Sequence, residues 1–235
     1  IIAENLEPSE EITKTLVETL SDGAVLSFGL ESADSVVHEA NWLNCDASQL
    51  KSAIRLINKY GSARGERGLP KLLPGLNFIA GLNGETSITY QKNLDLLHEI
   101  RKENLLLRRI NIRQVEGEGF QEIPEHEFSK FKQSVRDDID APLLEELFPK
   151  GEVLKQVHWE SHNGRTRLPV HLNQPHTGEE IRGNAGITFG RQIGAYPILI
   201  GAEYLIPLET SSDIVVTGHG ARSITGVECS MNHDT

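Results

Sequence analysis

Three short segments bring residues capable of chemistry to the places where parallel strands would end. The apolar run Ala24-Val25-Leu26-Ser27-Phe28-Gly29-Leu30 leads directly into Glu31 and Ser32. Ligands of parallel α/β sheets bind at the carboxyl ends of strands, and a carboxylate there accepts hydrogen bonds from ribose hydroxyls. From spacing alone a helix-capping or surface carboxylate accounts better for the same residue. The second segment, Gly75 to Gly81, runs into Leu82-Asn83-Gly84-Glu85-Thr86, where two glycines permit a ligand to approach the backbone and Glu85 stands at the next helix N-terminus. Tight strand-to-helix packing explains such glycines too. In the third segment, RRINIRQV at 108 to 115, Arg109, Asn111 and Arg113 share a face that is unusually polar for a covered parallel sheet. That face lines a cavity, or the strand is an edge.

Other reactive side chains form weaker patterns. Four histidines, His158, His162, His171 and His176, fall close together, but on strands their side chains need not converge and no carboxylate completes a metal set. His219, between two glycines, is either a substrate-facing acid or base or a loop residue without function. Cys45 and Cys229 lie nearly a chain length apart, so neither a disulfide framework nor a zinc ribbon is expected. There is no G-x-S-x-G elbow, P-loop or defensible Ser/His/Asp arrangement.

The elements that would position these residues follow from periodicity. A helix begins near Pro8, with Glu10 and Glu11 at the positive end of its dipole, and stops at Asp22-Gly23. The run from Ala24 to Leu30 has the pattern of a strand buried on both faces. Asp46 with Gln49 forms a capping box for a helix carrying Leu50, Ile54 and Ile57 on one face, ended by Gly61. The loop SARGERGLPKLLP leads to a second strand; from about Thr86 a third helix places Leu94, Leu97 and Ile100 together, and RRINIRQV alternates as a final strand. That order gives parallel strands with helical crossovers. Residues 116–150 turn acidic and interrupted, as a helical connector with two short helices. From Gly151 onward, Leu168, Val170 and Leu172 alternate with polar neighbours and several short strands separated by glycines follow, as in a small antiparallel barrel or sandwich.

Taken in order, SFGLESADSVV, LNFIAGLNGETSITY and INIRQV resemble the fourth, fifth and sixth strand units of radical S-adenosylmethionine proteins. The likeness covers residues 1–115 and is similar to a subgroup in which LLLRRINIRQV and a later TFGRQIGAYPILIG occur in one chain. It implies an α/β fold, an incomplete radical-SAM-type (βα)6 barrel, or half barrel, followed by the small β domain. In that superfamily a C-x3-C-x2-C loop holds a [4Fe-4S] cluster that cleaves S-adenosylmethionine to a deoxyadenosyl radical. By the resemblance, Glu31 and Ser32 match the strand-four position that contacts the ribose or methionine carboxylate. Ile79 and Gly81 match the strand-five motif beside adenine, although the usual G-x-I-x-G-x-x-E has Asn77 for its first glycine and Glu85 one place late. Asn111 and Arg113 match the strand-six region bordering adenine. The stretch GEVLKQVHWESHNGRTRLPVHL and the strands after it resemble TRAM-like barrels of RNA-modifying relatives, which implies RNA contact through Arg165, Arg167, Arg182 and Arg191.

Composition bounds these expectations. The 235 residues, 38% hydrophobic and 24% charged, with 34 Asp+Glu against 23 Lys+Arg, describe an ordinary globular chain whose net charge of -11 argues against broad electrostatic capture of nucleic acid. No apolar run reaches the roughly 18 to 20 residues of a membrane span, so a soluble, cytoplasmic protein with no membrane partner is expected. The sequence starts at Ile1 and its one methionine is Met231, which reads as a piece of a longer polypeptide. The leading expectation is therefore a fragment of a radical S-adenosylmethionine iron-sulfur enzyme, RNA-modifying in its intact form. Its domains would be 1–115, the connector 116–150 and a TRAM-like domain 151–235. With two distant cysteines the chain alone lacks the cluster site, so no cofactor is expected on it and it is expected to be inactive. Its partners would be the missing N-terminal half of the barrel and, through an exposed strand edge at Ala24 to Leu30, a second copy. The alternative is a non-catalytic nucleotide-binding or protein-assembly module using the faces around Glu31 and Arg113.

Overall fold

The computed structural model of the chain describes residues 6–115, 117, 119–120, 122–160, 186–194, 197–220 and 222–229. Two compact units emerge, one of Ile1–Ala63 with Pro70–Leu143 and one of Arg64–Leu69 with Leu144–Thr235. Among the described residues no helix is long and apolar enough to cross a membrane.

The first unit runs α1 (Leu6–Thr19), β1 (Ala24–Glu31), α2 (Ser35–Asn41), α3 (Ala47–Gly61), β2 (Leu72–Ala80), α4 (Ser87–Lys102), β3 (Arg109–Gln114) and α5 (Glu125–Ser134). A π-helical turn, Val135–Asp140, carries α5 directly into α6 (Ala141–Leu147). The α3 start is fixed as its residues dictate: Asp46 accepts from the Gln49 N–H at 2.8 Å while the Gln49 side chain accepts from the Asp46 N–H at 3.3 Å.

The three strands are parallel and lie in the order β1-β2-β3. This corrects the expected half of a (βα)6 barrel: the sheet is open, three-stranded, and ends at β1 on one side and β3 on the other among the described residues. Closing a sheet needs strand number and stagger that three strands do not supply. Alternation sorts the side chains. Leu30, Leu76, Phe78, Ala80 and Ile110 are buried against Leu50 and Ile54 of α3, Leu97 of α4, and Phe128 and Phe131 of α5. Phe78 meets Phe131 edge-on at 6.0 Å, and Phe131 stacks on Tyr90 at 5.5 Å. Burial of each such side chain stabilises the unit by about 1.5–3 kcal/mol.

The opposite face is different in kind. A Cβ on Gly75 would lie 2.8 Å from Val25 Cγ1 and 3.0 Å from Ser27 Oγ, so these three share it. By alternation and register it continues through Gly29, Asn77, Ile79, Arg109, Asn111 and Arg113. Ser27, Gly29, Arg109 and Arg113 are exposed there. The expectation that β1 is buried on both faces is thus also corrected, because Ser27 and Gly29 are exposed on this one, although Leu73 and Gly75 near its start are buried. Parallel sheets are normally covered twice, and this one presents a polar surface instead.

The second unit is a closed barrel of β4 (Val153–Glu160), β5 (Thr188–Gln192), β6 (Leu199–Ala202), β7 (Thr210–His219) and β8 (Ser223–Glu228), in the order β4-β5-β6-β8-β7. The β6–β8 pair is parallel, which corrects the expected fully antiparallel arrangement. Trp159, Leu154, Val157, Ile200, Ile214 and Ile224 fill it, with Trp159 Nε1 donating to Ser212 Oγ at 2.7 Å. Segment 64–69 belongs to this unit: the buried Gln192 amide donates to Arg67 O at 2.6 Å and to Lys155 O at 3.0 Å.

Candidate functional site

The open face of the sheet gathers most of the polar residues the sequence singles out, and Glu31 is its centre. Glu31 has φ 65°, in the left-handed region, at a bulge where the β1–β2 register shifts between Gly29 and Glu31. Bulges of this kind ordinarily place glycine there, and a side chain in that conformation costs about 1–2 kcal/mol. The chain geometry folds the Glu31 carboxylate back over Gly29, where a Cβ would stand 2.5 Å from Oε1. Its Oε2 is buried and has no hydrogen-bond partner among the described residues. Burial raises the Glu31 pKa above the ordinary carboxylate value, and the charge of Arg113 opposes that rise. One residue therefore carries backbone strain, desolvation and an unmet acceptor together, and such costs cluster where a side chain serves a ligand.

Around it, Ile79 and Arg113 are register partners and lie beside the neighbouring pair Asn77 and Asn111. Asn111 Nδ2 donates to Asn77 Oδ1 at 2.8 Å, and Arg109 Nε donates to Asn111 Oδ1 at 2.5 Å. Glu31, Ile79, Asn111 and Arg113 are thus brought to one surface.

Ser32 and Gly81 are not part of that surface. Ser32 is fully buried; its hydroxyl accepts from the Asp34 N–H at 3.1 Å and donates to Asn93 Oδ1 at 3.5 Å. The same Asn93 oxygen takes the Ala33 N–H at 2.6 Å, so Ser32 and Asn93 shape the turn after Glu31. Asp34 caps α2, accepting from Thr89 Oγ1 at 2.8 Å and Lys92 Nζ at 2.6 Å. Burial pushes its carboxyl up, but the Lys92, Thr89 and Val36 partners together hold it below its usual value. Gly81, at φ 93°, is required for packing: a Cβ would lie 2.6 Å from Val115 O.

Glu85 is buried and turned toward this loop, accepting from the Gly81 N–H at 2.5 Å. Burial raises its pKa despite the Gly81 and Leu82 N–H groups and the adjacent Tyr90 hydroxyl. The Tyr90 hydroxyl is itself pushed up by burial and by the carboxylates of Glu85 and Glu127. Because the folded state holds the Glu85 proton more tightly than the unfolded chain, whose carboxyl titrates near 4.5, its contribution to stability is full at low pH and declines as pH rises through the raised value. Glu85→Gln is expected to abolish that component, so the thermal midpoint of the wild type falls relative to the variant as pH rises from acid to neutral. Parallel pH profiles for the two proteins would contradict it.

Of the remaining candidates, His158 faces Ser211 Oγ at 3.3 Å and Glu209 at 3.4 Å, while His162, His171 and His176 lie outside the described residues. Among the described residues no group of His, Cys, Asp and Glu could hold a metal ion. Arg191 pairs with Glu160 at 2.9 Å; Arg165, Arg167 and Arg182 lie outside the described residues. His219 bonds Phe148 O at 2.7 Å from the end of β7. The residue that sequence reasoning undervalued is Asn77, noted only as a departure from a motif. Its signal was present, as the one amide in the apolar strand LLPGLNFIA, in register with Asn111.

No protein-family model matches the chain. The chain is similar to an uncharacterized protein of Archaeoglobus fulgidus, 39% identical over 241 residues that cover 98% of this chain and 41% of that protein. It is also similar to an uncharacterized protein of Methanocaldococcus jannaschii, 34% identical over 237 residues, covering 96% of this chain and 40% of that protein. The chain thus spans less than half the length of these curated relatives, and its alignment with them runs through both the sheet and the barrel.

Proposed function

We propose that the open polar face of the sheet binds the nucleoside portion of S-adenosylmethionine, and that the chain is the cofactor-binding part of a radical S-adenosylmethionine protein of the cytoplasm. The observation that carries this reading is Glu31, held in a left-handed conformation with Oε1 turned over Gly29 and Oε2 buried with no partner among the described residues. A ribose offers two O–H donors at the spacing of a carboxylate's two oxygens, and charge-assisted bonds of that type are the strong ones. Gly29 leaves the backbone bare beside it, and exposed Arg113 stands at the carboxyl end to meet a carboxylate. These residues fit the nucleoside and its charged tail: Glu31 would hold the ribose, and Arg113 the methionyl carboxylate.

They do not fit the iron-sulfur cluster. Cys45 and Cys229 are both free and cannot supply three thiolates. S-adenosylmethionine supplies radical chemistry only with such a cluster, so no step through the cluster is assigned to this chain. The cysteine count favours a second reading, a non-catalytic nucleotide-binding or assembly module using the same face. RNA as the parent's substrate gains nothing from the barrel, where the one described arginine of the expected set is paired.

Calorimetric titration of the chain with S-adenosylhomocysteine tests the shared core of both readings. Saturable binding, weakened at least about tenfold by Glu31→Gln through loss of charge-assisted bonds, is the expected result. Absence of binding at millimolar ligand, or equal binding by the variant, overturns it.

A further inference from the structure

Building on the nucleoside reading, we infer that Asn77 recognises a ring-nitrogen acceptor of the ligand's base, with Arg109 and Asn111 as the positioning residues that decide which way its amide faces. A guanidinium donates hydrogen bonds and never accepts them. The end of Asn111 that meets Arg109 Nε at 2.5 Å is therefore its carbonyl oxygen. Its Nδ2 must then face away from Arg109, and it donates to Asn77 Oδ1 at 2.8 Å. The two ends of an amide are told apart by their partners, and the residue at the head of this row admits one assignment. Asn77 consequently has its oxygen toward β3 and its two N–H donors toward β1.

Among the described residues nothing meets those donors. The β1 residue in register with Asn77 is Gly29, which has no side chain and is exposed. Among the described residues the Asn77 side chain makes no other hydrogen bond. Also over Gly29 lies Oε1 of the Glu31 carboxylate, whose other oxygen, Oε2, has no partner among the described residues. The surface thus offers an acceptor and, one strand away at about 4.8 Å, a donor of fixed orientation. A nucleoside is the complement: its ribose hydroxyls donate, and an unprotonated ring nitrogen of its base accepts. A base presenting N–H at that point would meet donor against donor.

Cross-strand amide pairs also stabilise sheets, so the test needs a readout that packing does not move. Adenosine and the deaza analogues that replace each ring nitrogen in turn by C–H are titrated into the wild-type chain and into Asn77→Ala. The expected result is that one analogue binds the wild type about tenfold more weakly than adenosine, the loss typical of a removed hydrogen bond, and that Asn77→Ala binds adenosine and that analogue alike. Arg109→Met, which removes the head of the row and leaves Asn77 in place, is expected to narrow the same difference. Should Asn77→Ala fail to fold, Asn77→Ser shortens the side chain beyond reach while keeping it polar, and serves in its stead. Equal binding of all analogues by the wild type, or a difference that persists in the variant, overturns the role of Asn77 while adenosine binding that depends on Glu31 still stands. If adenosine does not bind at all, the nucleoside reading fails and this inference with it.

Discussion

Replacing Glu31 with glycine is expected to weaken nucleoside binding by at least about a hundredfold while stabilising the α/β unit by about 1–2 kcal/mol. The two effects come from the same atoms. Two charge-assisted hydrogen bonds to a ribose, each contributing about 1.5–3 kcal/mol, vanish with the carboxylate. Stability moves the other way because glycine adopts φ 65° without the Cβ penalty and leaves no buried oxygen unpartnered. The greater freedom of glycine in the unfolded chain offsets about 0.5–1 kcal/mol of that gain. Glu31→Gln isolates the charge: the wild type, whose carboxyl has a raised pKa, loses stability relative to the glutamine variant as pH rises through that value. Paired binding and denaturant titrations of the three proteins check this. A Glu31→Gly protein that is less stable and still binds would show that Glu31 serves the fold.

Phe78→Ala carries the largest expected cost to folding, about 3–5 kcal/mol. Phe78 lies one residue from Asn77, on the covered face of the central strand, 1% exposed and edge-on to Phe131. Alanine there leaves a void bounded by residues from several elements, including Phe131 and the strand itself, and such a site collapses poorly because its walls are held independently. Chemical denaturation followed by far-ultraviolet circular dichroism, which reports the helices of this unit, measures the shift. A loss below about 1 kcal/mol would mean that the helical layer does not grip β2 as described. The same substitution also links packing to binding, since the backbone that presents Asn77 and Ile79 is the backbone Phe78 anchors.

The residues of this sheet were legible to different degrees, for physical reasons. Local signals held where one element decides its own form: the Asp46–Gln49 box, the strand at Ala24, and the alternation in RRINIRQV are all found. The polar row Arg109, Asn111, Arg113 posed a choice between a cavity and an edge, and among the described residues β3 is an edge strand on which Arg109 and Arg113 are exposed. Closure was not legible, because curvature and strand number are properties of pairing between distant segments; likeness to a barrel family led to a half barrel where an open sheet stands. The membership of 64–69 in the barrel unit was equally hidden, since it depends on Gln192 more than a hundred residues away along the chain. Ser32 was grouped with Glu31 by adjacency, yet the bulge that turns Glu31 outward sends Ser32 into the protein to meet Asn93. The orientation of Asn77 required the hydrogen-bond row itself.

The most direct measurement is to follow the isotopically labelled chain by NMR as S-adenosylhomocysteine is added. The account predicts shifts centred on Glu31, Asn77, Ile79, Asn111 and Arg113, including the Asn77 side-chain amide, with the barrel strands β4 to β8 unmoved. Shifts absent at saturating ligand, or centred on the barrel with the open face silent, would contradict it.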